Sequence, residues 1–135
     1  MFVTGGCLCG AVRYELRAPA LFGGFCYCVD CRKTTGSHSA NMAVPEAALS
    51  VTGDVRVFSC IGGSGKEVSR SFCPNCGSGL FARTGARPGV VLLKAGTLDD
   101  PENFKPMASI YTSRAPSWDK PTEGLQAFPE ARPPS

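Results

Sequence analysis

The stretch Phe72-Cys73-Pro74-Asn75-Cys76-Gly77 contains two cysteines separated by two residues and followed by glycine. With this spacing both thiolates can bind one ion, and glycine tolerates the backbone conformation that follows the second sulfur. Structural zinc takes four ligands in a tetrahedron, so two more thiolates are needed. The nearest comparable pair is in Cys7-Leu8-Cys9-Gly10, which also has glycine directly after the second cysteine. The sequence therefore predicts a structural zinc site formed by Cys7, Cys9, Cys73 and Cys76.

A third group of cysteines lies between these pairs, in Cys26-Tyr27-Cys28-Val29-Asp30-Cys31. It offers three thiolates and no obvious fourth partner. Three protein ligands and one open position are typical of zinc sites that react with a substrate. The pattern predicts a second metal site at Cys26, Cys28 and Cys31. The alternatives are a second structural or partly vacant zinc, and three reduced thiols without metal.

Composition limits the class of protein. The chain of 135 residues has room for one domain, and its 43% hydrophobic and 19% charged residues are ordinary for a globular protein. The net charge of +3 is too small and too scattered for a nucleic-acid partner, and no apolar run approaches the length of a membrane span. The N-terminus lacks the features of a secretory signal, so we expect a cytoplasmic location. In that reducing compartment the eight cysteines favour metal over a disulfide framework, which is the alternative for a small domain with an even cysteine count.

Short segments of strand character, separated by glycine and proline turns, predict a mostly β single domain. Strands are expected over residues 11–17, 39–44, 50–52, 55–60, 67–72, 79–83, 90–96 and 108–112. The segment 90–96 is the most apolar, which suits a central strand. A helical turn is expected at residues 45–49, and at most one more after Cys31. We assign residues 1–120 to the domain and residues 121–135, rich in proline and polar residues, to a C-terminal tail that lies over it.

Four motifs occur in an order that resembles the glutathione-dependent formaldehyde-activating (Gfa-like) proteins. They are Gly6-Cys7-Leu8-Cys9-Gly10-Ala11-Val12-Arg13-Tyr14, Cys26-x-Cys28-x-x-Cys31-Arg32-Lys33 with Gly36-Ser37, Phe72-Cys73-x-x-Cys76-Gly77-Ser78, and Gly96-Thr97-Leu98-Asp99-Asp100-Pro101. The resemblance runs from Gly5 to Trp118. It implies an Mss4-like fold of folded β-sheets around the four-cysteine zinc, a second zinc at the triplet, and carbon–sulfur lyase activity on a thiol–aldehyde adduct. Glutathione and formaldehyde are the substrates that it implies.

The sequence departs from the family pattern at Tyr27, where many members have histidine. Because side chains alternate along an extended segment, the residue between two ligands points away from the metal. Zinc binding should therefore survive, whereas any contact made by that histidine with a ligand residue or with substrate is in question.

The residues of the triplet suit the implied chemistry. Three thiolates on Zn²⁺ leave a negative complex, which is a poor Lewis acid but can hold an exogenous thiol as a nucleophilic thiolate. A glutathione sulfur held there would attack formaldehyde to give S-hydroxymethylglutathione. The candidate catalytic residues are Cys26, Cys28, Cys31 and Arg32. Arg32 and Lys33 would offset the negative charge or bind a substrate carboxylate, and the alternative is an ordinary pair of solvated cations.

Two other functions fit the same sequence. One is a non-catalytic Mss4-like zinc-binding module, and the other is a carrier that binds glutathione without transforming it. Three further residues have simple structural interpretations. His38 is expected to be hydrogen-bonded or on the surface, with a proton shuttle or a fourth metal ligand as the alternative. Cys60 is expected to be a small buried group, with a labile thiol as the alternative, and Trp118 is expected to have a packing role.

Overall fold

Residues 2–132 are described by a computed structural model, in which β-strands form two sheets and a single α-helix occurs among the described residues. The strands are β1 (Val3–Gly6), β2 (Arg13–Leu16), β3 (Phe22–Cys26), β4 (Ser39–Pro45), β5 (Leu49–Thr52), β6 (Arg56–Ile61), β7 (Glu67–Phe72), β8 (Gly79–Thr84), β9 (Val90–Lys94), β10 (Ala108–Ile110) and β11 (Gln126–Ala127). The helix α1 comprises Val29–Thr35, and 3-10 turns comprise Glu46–Ala48, Ala95–Thr97, Pro101–Asn103 and Thr112–Arg114.

The larger sheet has the strand order β11-β10-β3-β4-β9-β8-β7-β6, and the smaller one has the order β1-β2-β5. Neighbouring strands are antiparallel, except that β10 is parallel to both β3 and β11. The predicted mostly β, single-domain fold is confirmed, and β9 has the central position that its apolar sequence favours. Within residues 2–132 no helix has the length and apolar character needed to cross a membrane.

Alternation along the central strands gives the larger sheet two chemically different faces. Met42 pairs with Leu93, and both are buried in the hydrophobic core that the sheet shares with β1, β2 and β5. The next pair in the register, Asn41 with Lys94, points to the opposite face because side chains alternate along a strand. The same two strands therefore supply the core on one side and polar groups on the other.

Most predicted strands are present, with ends that differ by at most two residues. Three strands are absent from the predicted set. Strands β1 and β11 are not predicted, and β3 is expected only as an extended lead-in to the triplet. The prediction of at most one helical turn after Cys31 is wrong, because α1 begins at Val29 and contains Cys31. Its N-cap is Cys28, whose sulfur accepts a hydrogen bond from the Cys31 N–H at 3.3 Å.

The segment assigned to the tail contacts the domain along its described part. Strand β11 adds to the edge of the larger sheet beside β10. Beyond it, the Glu130 and Phe128 carbonyls accept hydrogen bonds from the N–H groups of Tyr111 and Thr112. The final residues, 133–135, lie outside the described part of the chain.

Leu93→Ala should lower the free energy of unfolding by about 2–5 kcal/mol, because Leu93 is fully buried and truncation leaves a cavity. The matched control is Leu92→Ala, on the opposite face of the same strand, where the side chain is only partly buried. Urea denaturation of the metal-loaded proteins measures both values. Equal losses for the two variants would contradict this assignment of the two faces.

Candidate metal centres and their cavity

The first centre joins the two pairs of cysteines that the sequence predicted to share a metal. The sulfur atoms of Cys7, Cys9, Cys73 and Cys76 lie within 4.8 Å of one another. The Cys7–Cys9 and Cys9–Cys73 sulfur distances are 3.6 and 3.8 Å. Tetrahedral zinc with Zn–S bonds of about 2.3 Å separates its sulfurs by about 3.8 Å. The four side chains therefore fit zinc.

Local backbone geometry explains how each pair points its sulfurs inward. Gly10 and Gly77 follow the second cysteine of each pair and have φ values of 83° and 80°, in the left-handed region that glycine adopts without strain. The Gly77 N–H donates to the Cys73 carbonyl at 2.9 Å, which closes the turn. The predicted role of these two glycines is confirmed.

Hydrogen-bond donors favour the thiolate form of two cysteines at this centre, Cys7 and Cys76. The Val12 N–H donates to the Cys7 sulfur at 3.3 Å and lowers the pKa of that thiol. The Ser78 hydroxyl lies 3.2 Å from the Cys76 sulfur and, with the backbone around it, lowers the pKa of Cys76 to about 5. Thiolates are the form that binds metal, so these hydrogen bonds prepare the centre for a cation.

The second centre is built from three consecutive parts of the chain. Cys26 ends β3, Cys28 caps α1 and Cys31 lies in its first turns. Their sulfurs also lie within 4.8 Å of one another, which fits three corners of a zinc tetrahedron. Within residues 2–132 the cluster contains no fourth Cys, His, Asp or Glu. Cys26 and Cys31 are buried and Cys28 is more accessible, so the open side of the cluster lies at Cys28.

A chain of hydrogen bonds connects this cluster to a lysine. The Ser39 hydroxyl donates to the Cys31 sulfur at 3.0 Å, and the Asn41 amide donates to the Ser39 oxygen at 3.0 Å. The Lys94 ammonium in turn donates to the Asn41 side-chain oxygen at 3.0 Å. These residues follow one another on the polar face of β4 and β9. Lys94 is not predicted from the sequence, where its one signal is its position as a charged residue at the end of an otherwise apolar strand.

This environment concentrates negative charge on one sulfur of the triplet. Hydrogen bonds from the Cys26 and Cys28 thiols hold the pKa of Cys31 well below its ordinary value, and Ser39 and the charge of Lys94 act in the same direction. The pKa of Cys26 is raised by its hydrogen bonds to Cys28 and Cys31 and by burial. Burial lowers the pKa of Lys94, and the nearby Cys31 charge opposes that effect. Full ionisation of the three thiols therefore needs a bound cation.

The triplet lines a cavity of about 610 Å³ on the polar face of the larger sheet. The sheet forms its floor, and the loop 62–64 and residues 110–114 and 130–132 contribute to its walls. The charged residues that line it are Asp30, Arg70, Arg87, Lys94, Arg114, Glu130 and Arg132. Five cations against two anions give the lining a formal excess of three positive charges.

The structure places the predicted cations Arg32 and Lys33 elsewhere. Both lie on α1, and neither is among the described residues that line the cavity. Their neighbour in sequence, Cys31, points into the cluster, but residues that adjoin it on a helix point in other directions. The cavity is lined instead by cations from strands remote in sequence, among them Lys94 on β9 and Arg70 on β7.

Tyr27 and His38 lie behind the triplet. Tyr27 is buried and packs against the His38 ring at a centroid distance of 5.0 Å, so it points away from the cavity as predicted. His38 is hydrogen-bonded, as expected, with Nδ1 at 2.9 Å from an Asp119 carboxylate oxygen. Trp118, beside that aspartate in the chain, is 67% exposed, so its predicted packing role is wrong.

Cys60 lies on β6, outside both clusters, and is only partly buried. Its sulfur accepts a hydrogen bond from Arg70 at 3.6 Å. The prediction of a small buried apolar group is therefore wrong for Cys60.

Comparison with known proteins adds independent evidence. The sequence model of the family described as glutathione-dependent formaldehyde-activating enzyme matches residues 2–114. A protein of Halomonas elongata, provisionally named as a glutathione-dependent formaldehyde-activating enzyme, is 31% identical over 105 residues, which is 73% of this chain and 67% of the relative. A crystal structure of a Rhodobacter sphaeroides protein superposes with a TM-score of 0.60 at 17% identity, over 93% of this chain and 98% of the other. This last similarity concerns the fold alone.

The two clusters should respond differently to loss of a ligand. Cys73→Ser should remove the metal of the four-cysteine centre and unfold the domain, because such zinc contributes on the order of 10 kcal/mol, comparable with the stability of a whole domain. Cys28→Ser should retain the fold and lose only the second metal. Zinc content per chain and far-UV circular dichroism measure both effects.

Cys60→Ser is the control, since Cys60 belongs to neither cluster. It should keep the zinc content and the fold of the unmodified protein. A folded Cys73→Ser protein with unchanged zinc content would overturn the structural assignment of the first centre.

Proposed function

Because the chain belongs to the glutathione-dependent formaldehyde-activating family, we propose that it forms or cleaves the carbon–sulfur bond of a thiol–aldehyde adduct at Cys26, Cys28 and Cys31. Glutathione and formaldehyde are the favoured pair, with S-hydroxymethylglutathione as the adduct. The observation that carries the proposal is the open cluster of three sulfurs in a cavity large enough for a small molecule.

The three sulfurs would hold zinc, which supplies a positive charge that keeps an incoming thiol ionised and leaves its sulfur nucleophilic. Cys28 is the accessible member of the cluster, so the thiol approaches from its side. Ser39 donates to Cys31 and holds that ligand in one orientation. The fourth position is then left to the substrate.

Lys94 supplies a hydrogen-bond donor for the aldehyde oxygen when the carbon–sulfur bond forms. The thiolate attacks the carbonyl carbon, a carbon–sulfur bond forms, and the electron pair of the C=O bond moves to oxygen. The Lys94 ammonium donates a hydrogen bond to that oxygen as it becomes negative, and the alkoxide then takes a proton from solvent. Asn41 fixes the ammonium from the other side at 3.0 Å. In the reverse direction the hydroxyl loses its proton, the carbonyl reforms and the thiolate leaves.

Cys28→Ser should abolish acceleration of the reaction, because the cluster then lacks its accessible thiolate. The measurement is the rate of exchange between ¹³C-formaldehyde and its glutathione adduct by NMR, with the spontaneous rate subtracted. Cys60→Ser is the matched control and should retain the rate of the unmodified protein.

The same measurement separates the proposal from its rivals. Saturable glutathione binding without acceleration by the unmodified protein would identify a carrier. Neither binding nor acceleration would identify a non-catalytic zinc module. Full acceleration in Cys28→Ser would exclude the triplet as the reaction centre.

Lys94→Met should lower kcat by about a hundredfold, the usual cost of removing one donor to a developing oxyanion. Lys33→Met is the control, because Lys33 is an exposed cation on α1 outside the cavity. Arg32→Met tests the role predicted from the sequence in the same assay. A kcat as low as that of Lys94→Met would support a catalytic role for Arg32, whereas a kcat equal to that of Lys33→Met would exclude that role. Unchanged kcat in Lys94→Met would contradict the role given to the ammonium.

A further inference from the structure

Part of the cavity wall comes from residues that follow the family match. That match ends at residue 114, whereas residues 126–132 are held against the domain. Strand β11 pairs with β10, and the Phe128 N–H donates to the Ser109 carbonyl at 2.9 Å. The Ser113 hydroxyl donates to the Pro129 carbonyl at 2.7 Å. These bonds fix the path of the C-terminal segment up to the point where it reaches the cavity.

The end of this segment runs from Glu130, whose carbonyl is bonded to Tyr111, to Arg132, which reaches Phe22. Glu130 and Arg132 both line the cavity. Glu130 forms an ion pair with Arg114, so its charge is compensated. Arg132 extends to Phe22, and its guanidinium carbon lies 4.1 Å from the centroid of that ring. The Nε atom of Arg132 is buried and has no hydrogen-bond partner within residues 2–132.

The position of Phe22 defines the end of the cavity that Arg132 reaches. Phe22 and Cys26 are the first and last residues of β3, so four residues, or about 13 Å of extended chain, separate them. Phe22 pairs with Ala43, which pairs with Leu92 across β4 and β9. The loop that precedes β9 contains Arg87, a second cation that lines the cavity at this end.

The cations that line the cavity therefore differ in their surroundings. Lys94 is linked through Asn41 and Ser39 to Cys31 at the sulfur end, and Arg114 is paired with Glu130. Arg132 contacts Phe22, and Arg87 lies in the loop before β9, towards the same end of the cavity. Within the described residues neither Arg87 nor Arg132 forms an ion pair with a carboxylate. Two guanidinium groups without an acidic partner in a partly enclosed cavity attract an anion, and guanidinium geometry matches a carboxylate.

We propose that Arg87 and Arg132 form a carboxylate-binding subsite that selects a thiol substrate by the charge at its far end. This inference rests on the proposed function for the identity of the sulfur partner. The separation of about 13 Å suits an elongated thiol with a carboxylate several bonds from its sulfur, such as a γ-glutamyl peptide. Arg132 is a specificity-determining residue supplied by the C-terminal segment, and the reacting atoms stay at the other end of the cavity.

The test uses the zinc-loaded full chain and S-methylglutathione, which keeps both carboxylates but has no free thiol. Isothermal titration calorimetry measures its dissociation constant for the unmodified protein, Arg132→Met and Arg87→Met. Each substitution should weaken binding roughly tenfold to a hundredfold, the range for one hydrogen bond to a charged group. Binding should also weaken as salt concentration rises. Arg83→Met is the control, since Arg83 is paired with Glu46 outside the cavity.

Glutathione diethyl ester provides the second arm, in the exchange assay. It retains the thiol and lacks the carboxylates, so Arg132→Met should raise KM for glutathione, leave kcat unchanged and leave the ester unaffected. Equal binding of S-methylglutathione by the unmodified protein and both variants would overturn the subsite, whether or not the protein accelerates the exchange. Loss of binding in the variants with no acceleration by any of the proteins would support the subsite and reject the lyase function.

Discussion

The convergence of four sulfurs from distant parts of the chain is the constraint on which the fold depends. Cys7 and Cys73 belong to the buried core, where the smaller sheet meets the larger one. Four thiolates within 4.8 Å of one another repel unless a cation neutralises them, so the contact between the sheets and the binding of a metal are one event. The core of a domain of this size is modest, and a metal bound by these four sulfurs would add the stability that apolar packing alone does not provide.

Strands β4 and β9 contribute side chains to both faces of the larger sheet. Packing in the core therefore also fixes the hydrogen-bonded residues Ser39, Asn41 and Lys94 at the second centre. Leu93 is locked by packing on one side, and its neighbour Lys94 is thereby held on the other. A shift of one residue in this register would exchange the two faces and remove Asn41 and Lys94 from the cavity. The Ser39–Asn41–Lys94 hydrogen bonds are thus positioned by the packing of the core rather than by β3 and α1, which carry the cysteines of the triplet.

The sequence predicted the sulfur clusters because ligand spacing is a local property of the chain. It predicted most strands for the same reason, since alternation is local. It did not predict Lys94, because the contact with Asn41 depends on strand pairing between segments 53 residues apart. Adjacency to Cys31 suggested Arg32, yet neighbours on a helix point in different directions. The proline-rich composition of the C-terminal segment concealed β11, whose role depends on pairing with β10.

The charge pattern of the proposed site follows from the negative cluster at its sulfur end. Three thiolates around one divalent ion would leave a net negative charge, which the charge of Lys94 offsets. The cations Arg87 and Arg132 are then available to an anionic substrate. A small neutral aldehyde offers no charge for such groups to recognise, whereas an elongated thiol with carboxylates does. In the proposed reaction, selectivity would therefore depend on the thiol, whereas the aldehyde would be selected only by its size and its reactivity near Lys94.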